Sequence, residues 1–171
     1  EHFFDGYKAD PEYALETLKS AYDGGATTLV LCDTNGGSFP YEVYNITKSV
    51  VEKFPHAVIG IHCHNDSSVA EANSIMAVTA GAKHVQGTFI GYGERCGNTN
   101  LSALIPSLQL KMGYECVPAD NMHLLTDTSR LIAEISNVSL SRFMPYVGAS
   151  AFTHKAGMHA DGVLKVQSSF E

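Results

Sequence analysis

The chain has 171 residues, 44% of them hydrophobic and 17% charged, a composition within the range of one globular domain. Eleven basic residues against 18 acidic ones give a formal charge of −7, which argues against nucleic acid or an anionic membrane as the main partner. No apolar run is long enough to cross a bilayer, and no signal peptide opens the chain.

Glu1-His2-Phe3-Phe4-Asp5 has no initiator Met and reads as a strand running into a loop, which suggests a piece of a longer protein. Asp10 and Pro11 open a helix that runs to about Tyr22, Asp10 as its cap and Pro11 in its first turn, and Gly24-Gly25 stops it. Thr27 to Cys32 is an apolar, β-branched strand that ends at Asp33-Thr34-Asn35-Gly36-Gly37. Pro40 to Phe54 is a helix with Val43, Ile46, Val50 and Val51 at helical spacing, and Ala57 to Cys63 is the next strand. Val69 to Ala80 is an Ala-rich helix stopped by Gly81, and Lys83 to Ile90 is a further strand. Asn100 to Met112 is a helix carrying Leu101, Leu104, Ile105 and Leu108 on one face, with Pro106 a candidate kink. Asp120 to Ser136 is another, with Leu124, Leu125, Ile132 and Ile135, followed by a loop-rich tail that reads as part of a small subdomain. Cys32 and Cys63 fall inside predicted strands and read as buried thiols. With Cys96 and Cys116 they form no C-x-x-C pair, so a cytoplasmic location is expected.

The predicted strands end near Asp33, Cys63 and Ile90, 30 and 27 residues apart (63 − 33 and 90 − 63). Regular β-α units of this length predict a parallel sheet. The polar motifs all follow the carboxyl ends of the strands, where ligands bind in both barrels and open doubly wound sheets, and periodicity alone does not choose between the two. The most informative motif is His62-Cys63-His64-Asn65-Asp66. Residues two apart on a strand point the same way, and neutral imidazole suits zinc and its neighbours in the divalent series. Two histidines do not close a site, so further ligands must come from elsewhere. The second motif is Gly91-Tyr92-Gly93-Glu94-Arg95-Cys96-Gly97-Asn98.

Four motifs in order carry a resemblance: Asp33-Thr34-Asn35-Gly36-Gly37, His62-x-His64-Asn65-Asp66, Gly91-x-Gly93-Glu94-Arg95-x-Gly97-Asn98, and His154-x-x-Gly157-x-His159-x-Asp161-Gly162. Together they closely resemble the acyl-CoA-dependent 2-oxo-acid synthases, which comprise the isopropylmalate, homocitrate and citramalate synthases. The opening Glu1 to Lys8 looks most like the citramalate branch. The resemblance implies an α/β fold, the C-terminal half of a (β/α)8 TIM barrel over residues 1–113 (end of strand five to helix eight), and part of a helical subdomain over 114–171. It implies His62 and His64 as ligands of a divalent metal ion (Zn, Mg or Mn), with Asn98 at or near that metal. It implies Glu1 as a catalytic acid/base, Thr34 as a contact to the 2-oxo acid, and His159 as an aid to proton transfer that reaches the barrel of a partner subunit in a homodimer. The family's first-strand Asp-Arg-Glu segment, with a metal-binding Asp and a catalytic Arg, is absent from this chain.

The implied reaction joins acetyl-CoA to a 2-oxo acid, with pyruvate favoured over 2-oxoisovalerate and 2-oxoglutarate, as a step of branched-chain amino-acid biosynthesis. The metal would polarise the ketone, a base would take a proton from the acetyl methyl, and thioester hydrolysis would make the product irreversible to form. Isopropylmalate or homocitrate synthase, a lyase or aldolase on the same metal barrel, and a non-catalytic fragment are the alternatives. Several residues also have plainer readings. Glu94 and Arg95 suit a structural ion pair, Asn98 could cap the helix that begins near Asn100, Asp33 could only shape its loop, and Asp66 could orient His64.

Overall fold

The computed structural model describes residues 2–166. Glu1, the expected acid/base, lies outside the described residues. His2, in the left-handed region at φ 52°, leads into helix α1 (Phe3–Ala9) and not into the extended segment expected there. The reason is packing. Phe3, Phe4 and Tyr7 lie on one helical face, Phe4 is fully buried, and the Phe3 ring meets those of Phe4 and Tyr7 at 5.8 Å each. Asp10 then caps α2 (Pro11–Asp23) by accepting the Tyr13 N–H at 3.0 Å.

Strand β1 (Thr28–Asp33), helix α3 (Pro40–Lys53), strand β2 (Val58–Cys63), helix α4 (Ala70–Thr79) and strand β3 (His84–Gln86) follow in strict alternation. The strands form a parallel sheet in the order β1-β2-β3, with Cys32 opposite His62 and His62 opposite Gln86. Period two then divides the sheet into two faces. Leu29, Leu31, Ile59, Ile61 and Cys63 are buried in one cluster with Val43, Ile46 and Val50 of α3 and Ala70 and Ala77 of α4. The other face carries Val30, Cys32, Gly60, His62, His84 and Gln86, and it is only partly covered. On that face a Cβ at Gly60 would come within 3.0 to 3.1 Å of His84 and Val30. Of the apolar strand residues, Leu29 and Leu31 are core, Val85 is half-buried and Val58 is exposed. Cys32, expected to be buried like Cys63, is half-buried and faces the polar side.

Beyond β3 the chain is less regular than expected. The strand is three residues long: beyond it Thr88 bonds to Thr99 and Leu101 instead of to β2, and the chain turns through a 3-10 segment at Phe89–Gly91 in which Ile90 and Gly91 have positive φ. The predicted helix from Asn100 is capped by the Asn100 side chain, which accepts the Ser102 N–H at 2.9 Å. It is α-helical only over α5 (Leu101–Pro106), and a π-helical turn at Ser107–Lys111 follows the proline, which lacks an N–H and crowds the preceding turn. A 3-10 segment (Ala119–Leu124) leads into α6 (Leu125–Ile135), which packs on α5, with Ser102 and Ser129 hydroxyls 2.9 Å apart. The loop-rich tail contains helix α7 (Gly157–Lys165). No helix among the described residues is long and apolar enough to cross a membrane.

Leu31 sits at the centre of the helix-covered face with no exposed surface. Leu31→Ala removes three buried carbons from a close-packed layer, and we expect it to lower unfolding stability by about 2–5 kcal/mol in urea denaturation of the intact protein.

Candidate active site

Parallel strands deliver their carboxyl ends to one edge of the sheet, and the three loops that leave this edge form the site. After β1 the chain turns at Asp33, whose buried carboxylate accepts the Ser38 N–H and hydroxyl, each at 3.1 Å. Asp33 therefore shapes its loop, the plainer reading of this residue. After β2, His64 N–H donates to the Asp33 carbonyl at 3.2 Å, and Asn65 accepts the Ala70 N–H at 3.1 Å at the start of α4. After β3 the motif loop doubles back. Asn98 N–H donates to the Gly91 carbonyl at 3.1 Å, Asn65 N–H to the Gly97 carbonyl at 2.9 Å, and Thr99 N–H to the Cys63 carbonyl at 3.0 Å. This sets Asn98 opposite His64 in an isolated antiparallel bridge.

His62 and His64 project from the same face with ring centroids 5.2 Å apart and planes at 77°. They share a cavity of about 290 Å3 with Cys32, Thr34 and Gln86. Burial, reinforced by the neighbouring His64, pushes the His62 pKa below its ordinary value, so the ring is neutral near pH 7 and keeps a lone pair to share. The Nδ1 atoms of His62 and His64 and the Oδ1 of Asn98 are buried without a hydrogen-bond partner. Such atoms are costly in a folded protein unless something meets them. Two imidazoles and a carboxamide oxygen form a donor set that suits a borderline divalent cation. Among the described residues no third His, Cys, Asp or Glu joins them.

Asn98 does not cap α5; Asn100 does. The Asn98 Nδ2 donates to the Tyr92 carbonyl at 3.2 Å, which leaves the Asn98 Oδ1 outside that bond. Thr34 lines the cavity, but its hydroxyl oxygen already accepts the His2 N–H at 2.7 Å. His159 is on α7, its ring 6.5 Å from that of His154, and it does not line this cavity. Arg95 pairs with Asp66 and not with Glu94: Nε and Nη2 donate to the two carboxylate oxygens at 2.8 and 2.9 Å. These bonds hold the Asp66 carboxyl below its ordinary pKa and leave it turned to Arg95. The sequence reading missed this partnership, and it also missed Cys32 and Gln86, which strand register places beside His62. Once the three strands are aligned, period two identifies both.

The model of the family described as HMGL-like matches residues 3–136. The chain belongs to the HMGL-like family. Over its whole length it is 57% identical to an (R)-citramalate synthase of Aquifex aeolicus and 50% identical to one of Geobacter sulfurreducens, and it covers 32% of each of those proteins. It is 36% identical to a 2-isopropylmalate synthase of Sulfolobus acidocaldarius, over 98% of this chain and 43% of that protein. The chain thus spans about a third of the length of the citramalate synthases it matches. Among solved structures, an HMG-CoA lyase of Bacillus subtilis superposes with a TM-score of 0.65 at 21% identity, over 75% of this chain and 44% of that one. The α/β architecture is thus that of part of the HMGL-like (β/α)8 barrel, and the half-covered sheet face corresponds to the barrel interior.

The loop after β3 is packed around Asn98, and a Cβ at Gly93 would lie 2.2 Å from Asn98 Nδ2. We expect Gly93→Ala to displace the Asn98 carboxamide and break its bond to Tyr92, at a cost of about 1–3 kcal/mol in stability. A shift of the Asn98 side-chain amide resonances, with the core resonances unmoved, would show it.

Proposed function

We propose that the protein catalyses the divalent-metal-dependent condensation of acetyl-CoA with pyruvate to give citramalate, as an acyltransferase of branched-chain (isoleucine) amino-acid biosynthesis in the cytoplasm. The observation that carries this reading is the 57% identity to a citramalate synthase across all 171 residues. The three unpartnered buried atoms of His62, His64 and Asn98 at one strand edge support it independently. The 36% identity to a 2-isopropylmalate synthase makes condensation with 2-oxoisovalerate the second reading.

His62 and His64 would hold the metal, with Asn98 at its margin, and an acidic ligand would come from outside this chain. When bound, the ion supplies Lewis-acid polarisation of the 2-oxo acid's ketone and charge stabilisation of the alkoxide that forms there. Thr34, fixed by the His2 backbone N–H, keeps its own hydroxyl proton free to donate to the 2-oxo acid. Glu1 would take the proton from the acetyl methyl, whose carbon then attacks the ketone carbon. His159, reaching a partner subunit's barrel in a homodimer, would return a proton to the alkoxide oxygen. Water then cleaves the thioester, releasing the product carboxylate and free CoA thiol. Residues 1–113 would belong to the barrel and 114–171 to the helical subdomain that carries His159.

Two experiments on the intact protein test this. Thiol release from acetyl-CoA should require both a 2-oxo acid and a divalent ion, and pyruvate should be the best of the three oxo acids. A strong preference for 2-oxoisovalerate would replace citramalate by isopropylmalate as the product, and no release with any oxo acid would exclude the synthase class. His62→Ala/His64→Ala should lose bound metal by elemental analysis together with the activity; unchanged metal content would remove these histidines from the site.

A further inference from the structure

Thr34, His64 and Asn98 come from three different loops, and one side chain touches all three loops. Arg95 precedes Asn98 by three residues on the loop after β3 and has a left-handed backbone at φ 54°. This conformation is uncommon for a residue with a side chain and turns the guanidinium back across the sheet edge. Its Nε and Nη2 grip both oxygens of Asp66, two residues beyond His64, and Nη2 also donates to the Thr34 carbonyl at 2.7 Å. The loops are in close contact where Arg95 crosses them. Gly36, at φ 60°, leaves no room for a Cβ, which would stand 2.7 Å from Asp66 Oδ2 and 2.9 Å from the His64 carbonyl.

We propose that Arg95 is the positioning residue of the site: by clasping Asp66 and the Thr34 carbonyl it holds the loops of Thr34, His64 and Asn98 at the spacing a divalent cation and a 2-oxo acid require. The inference rests on the metal-site reading above and adds to it a residue that touches neither metal nor substrate. The pair is solvent-accessible, the Arg95 side chain at 42% and that of Asp66 at 26%, so its contribution to folding stability is modest. Its effect is therefore geometric. It fixes the relative placement of groups that backbone hydrogen bonds fix only within pairs of loops. Lysine cannot replace it, because a single ammonium cannot satisfy a carboxylate in two-point fashion and a carbonyl on another loop at once.

The test uses the intact protein, stripped of metal by chelation and titrated with Zn2+ alone, with unfolding of the stripped protein followed in parallel. We expect Arg95→Met to weaken Zn2+ binding by about 10–100-fold while its unfolding transition stays at that of the parent, the loss typical when a supporting contact to metal ligands is removed. Arg95→Lys should stay at least about tenfold weak. Asp66→Asn, nearly isosteric, should show a loss of the same order, and it decides the matter if Arg95→Met does not fold. Zn2+ affinity within twofold of the parent in Arg95→Met or Arg95→Lys, or in Asp66→Asn, would overturn the proposal. His62→Ala/His64→Ala separates the two readings. Zinc lost there but held normally by the Arg95 variants overturns the clasp alone, whereas zinc retained there overturns the metal site and the clasp with it.

Discussion

Parallel pairing of β2 with a strand on each side aligns Cys32, His62 and Gln86 in one row and sends three chain segments out at the same edge. A one-residue slip of β2 would turn His62 toward the helices and bring Ile61 or Cys63 to the cavity, and a slip of β1 or β3 would do the same to Cys32 or Gln86, because side chains alternate strictly along a strand. The helix-covered face prevents the slip. Leu29, Leu31, Ile59, Ile61 and Cys63 must all face α3 and α4 at once, and each of them is buried. The hydrophobic face thus fixes the chemistry of the opposite face, and this is how an apolar core with no part in the site determines where its histidines stand.

The backbone of the site is secured in two steps. Asp33, buried, uses both carboxylate oxygens on Ser38 and gives its carbonyl to His64 N–H, so the first two loops are joined by backbone and by a fully satisfied carboxylate. The third loop joins through Asn65, Gly97, Cys63 and Thr99, again by backbone donors and acceptors. Hydrogen bonding is thus nearly complete around the site. Against that background the unpartnered Nδ1 atoms of His62 and His64 and the Oδ1 of Asn98 stand out because, unlike the buried and equally unpartnered Thr47 Oγ1 and Asn73 Oδ1, they gather at one strand edge.

How much of this could be read in the sequence depended on whether a signal was local. The helices α2, α3 and α4 and the strands β1 and β2 agree with their expected positions to within one or two residues, because caps at Asp10, a proline at Pro40 and β-branched runs are nearest-neighbour effects. The His-x-His pair and the crossover spacing belong to the same class. Two expectations failed for a tertiary reason. Phe3 to Ala9 forms a helix because the Phe3 ring packs edge-on against Phe4 and tilted against Tyr7 and the aromatic face buries against the core, and the long strand expected to Ile90 ends at Gln86 because Thr88 bonds to Thr99 and Leu101 of the returning chain instead of to β2. The partner of Arg95 was equally hidden. Glu94 is adjacent in sequence, but neighbouring residues on a tight loop point apart, whereas Asp66 is 29 residues away and comes close only once β2 and β3 are paired.

The face that carries the histidines explains why the site is only partly assembled in these residues. Apart from Val30 its members are small or polar: Gly60 is closely approached by Val30 and His84, and Cys32, His62 and Gln86 leave a cavity of about 290 Å3 where a core would have packed side chains. In the HMG-CoA lyase structure that this chain superposes on, the matching part is 44% of the molecule, and closure of a barrel requires the remaining strands to complete the ring around the same interior. A layer of polar residues at the carboxyl end of a barrel is where such folds place chemistry, while the apolar layers below supply stability. The division is visible within three strands: Leu31 and Ile61 are fully buried on the helix side, whereas His62 and His64 stand half-buried at the open end. Conformational precision at that open end must come from the loops themselves, and the hydrogen bonds of Asp33, Asn65 and Arg95 are the means by which three separate chain segments hold one geometry.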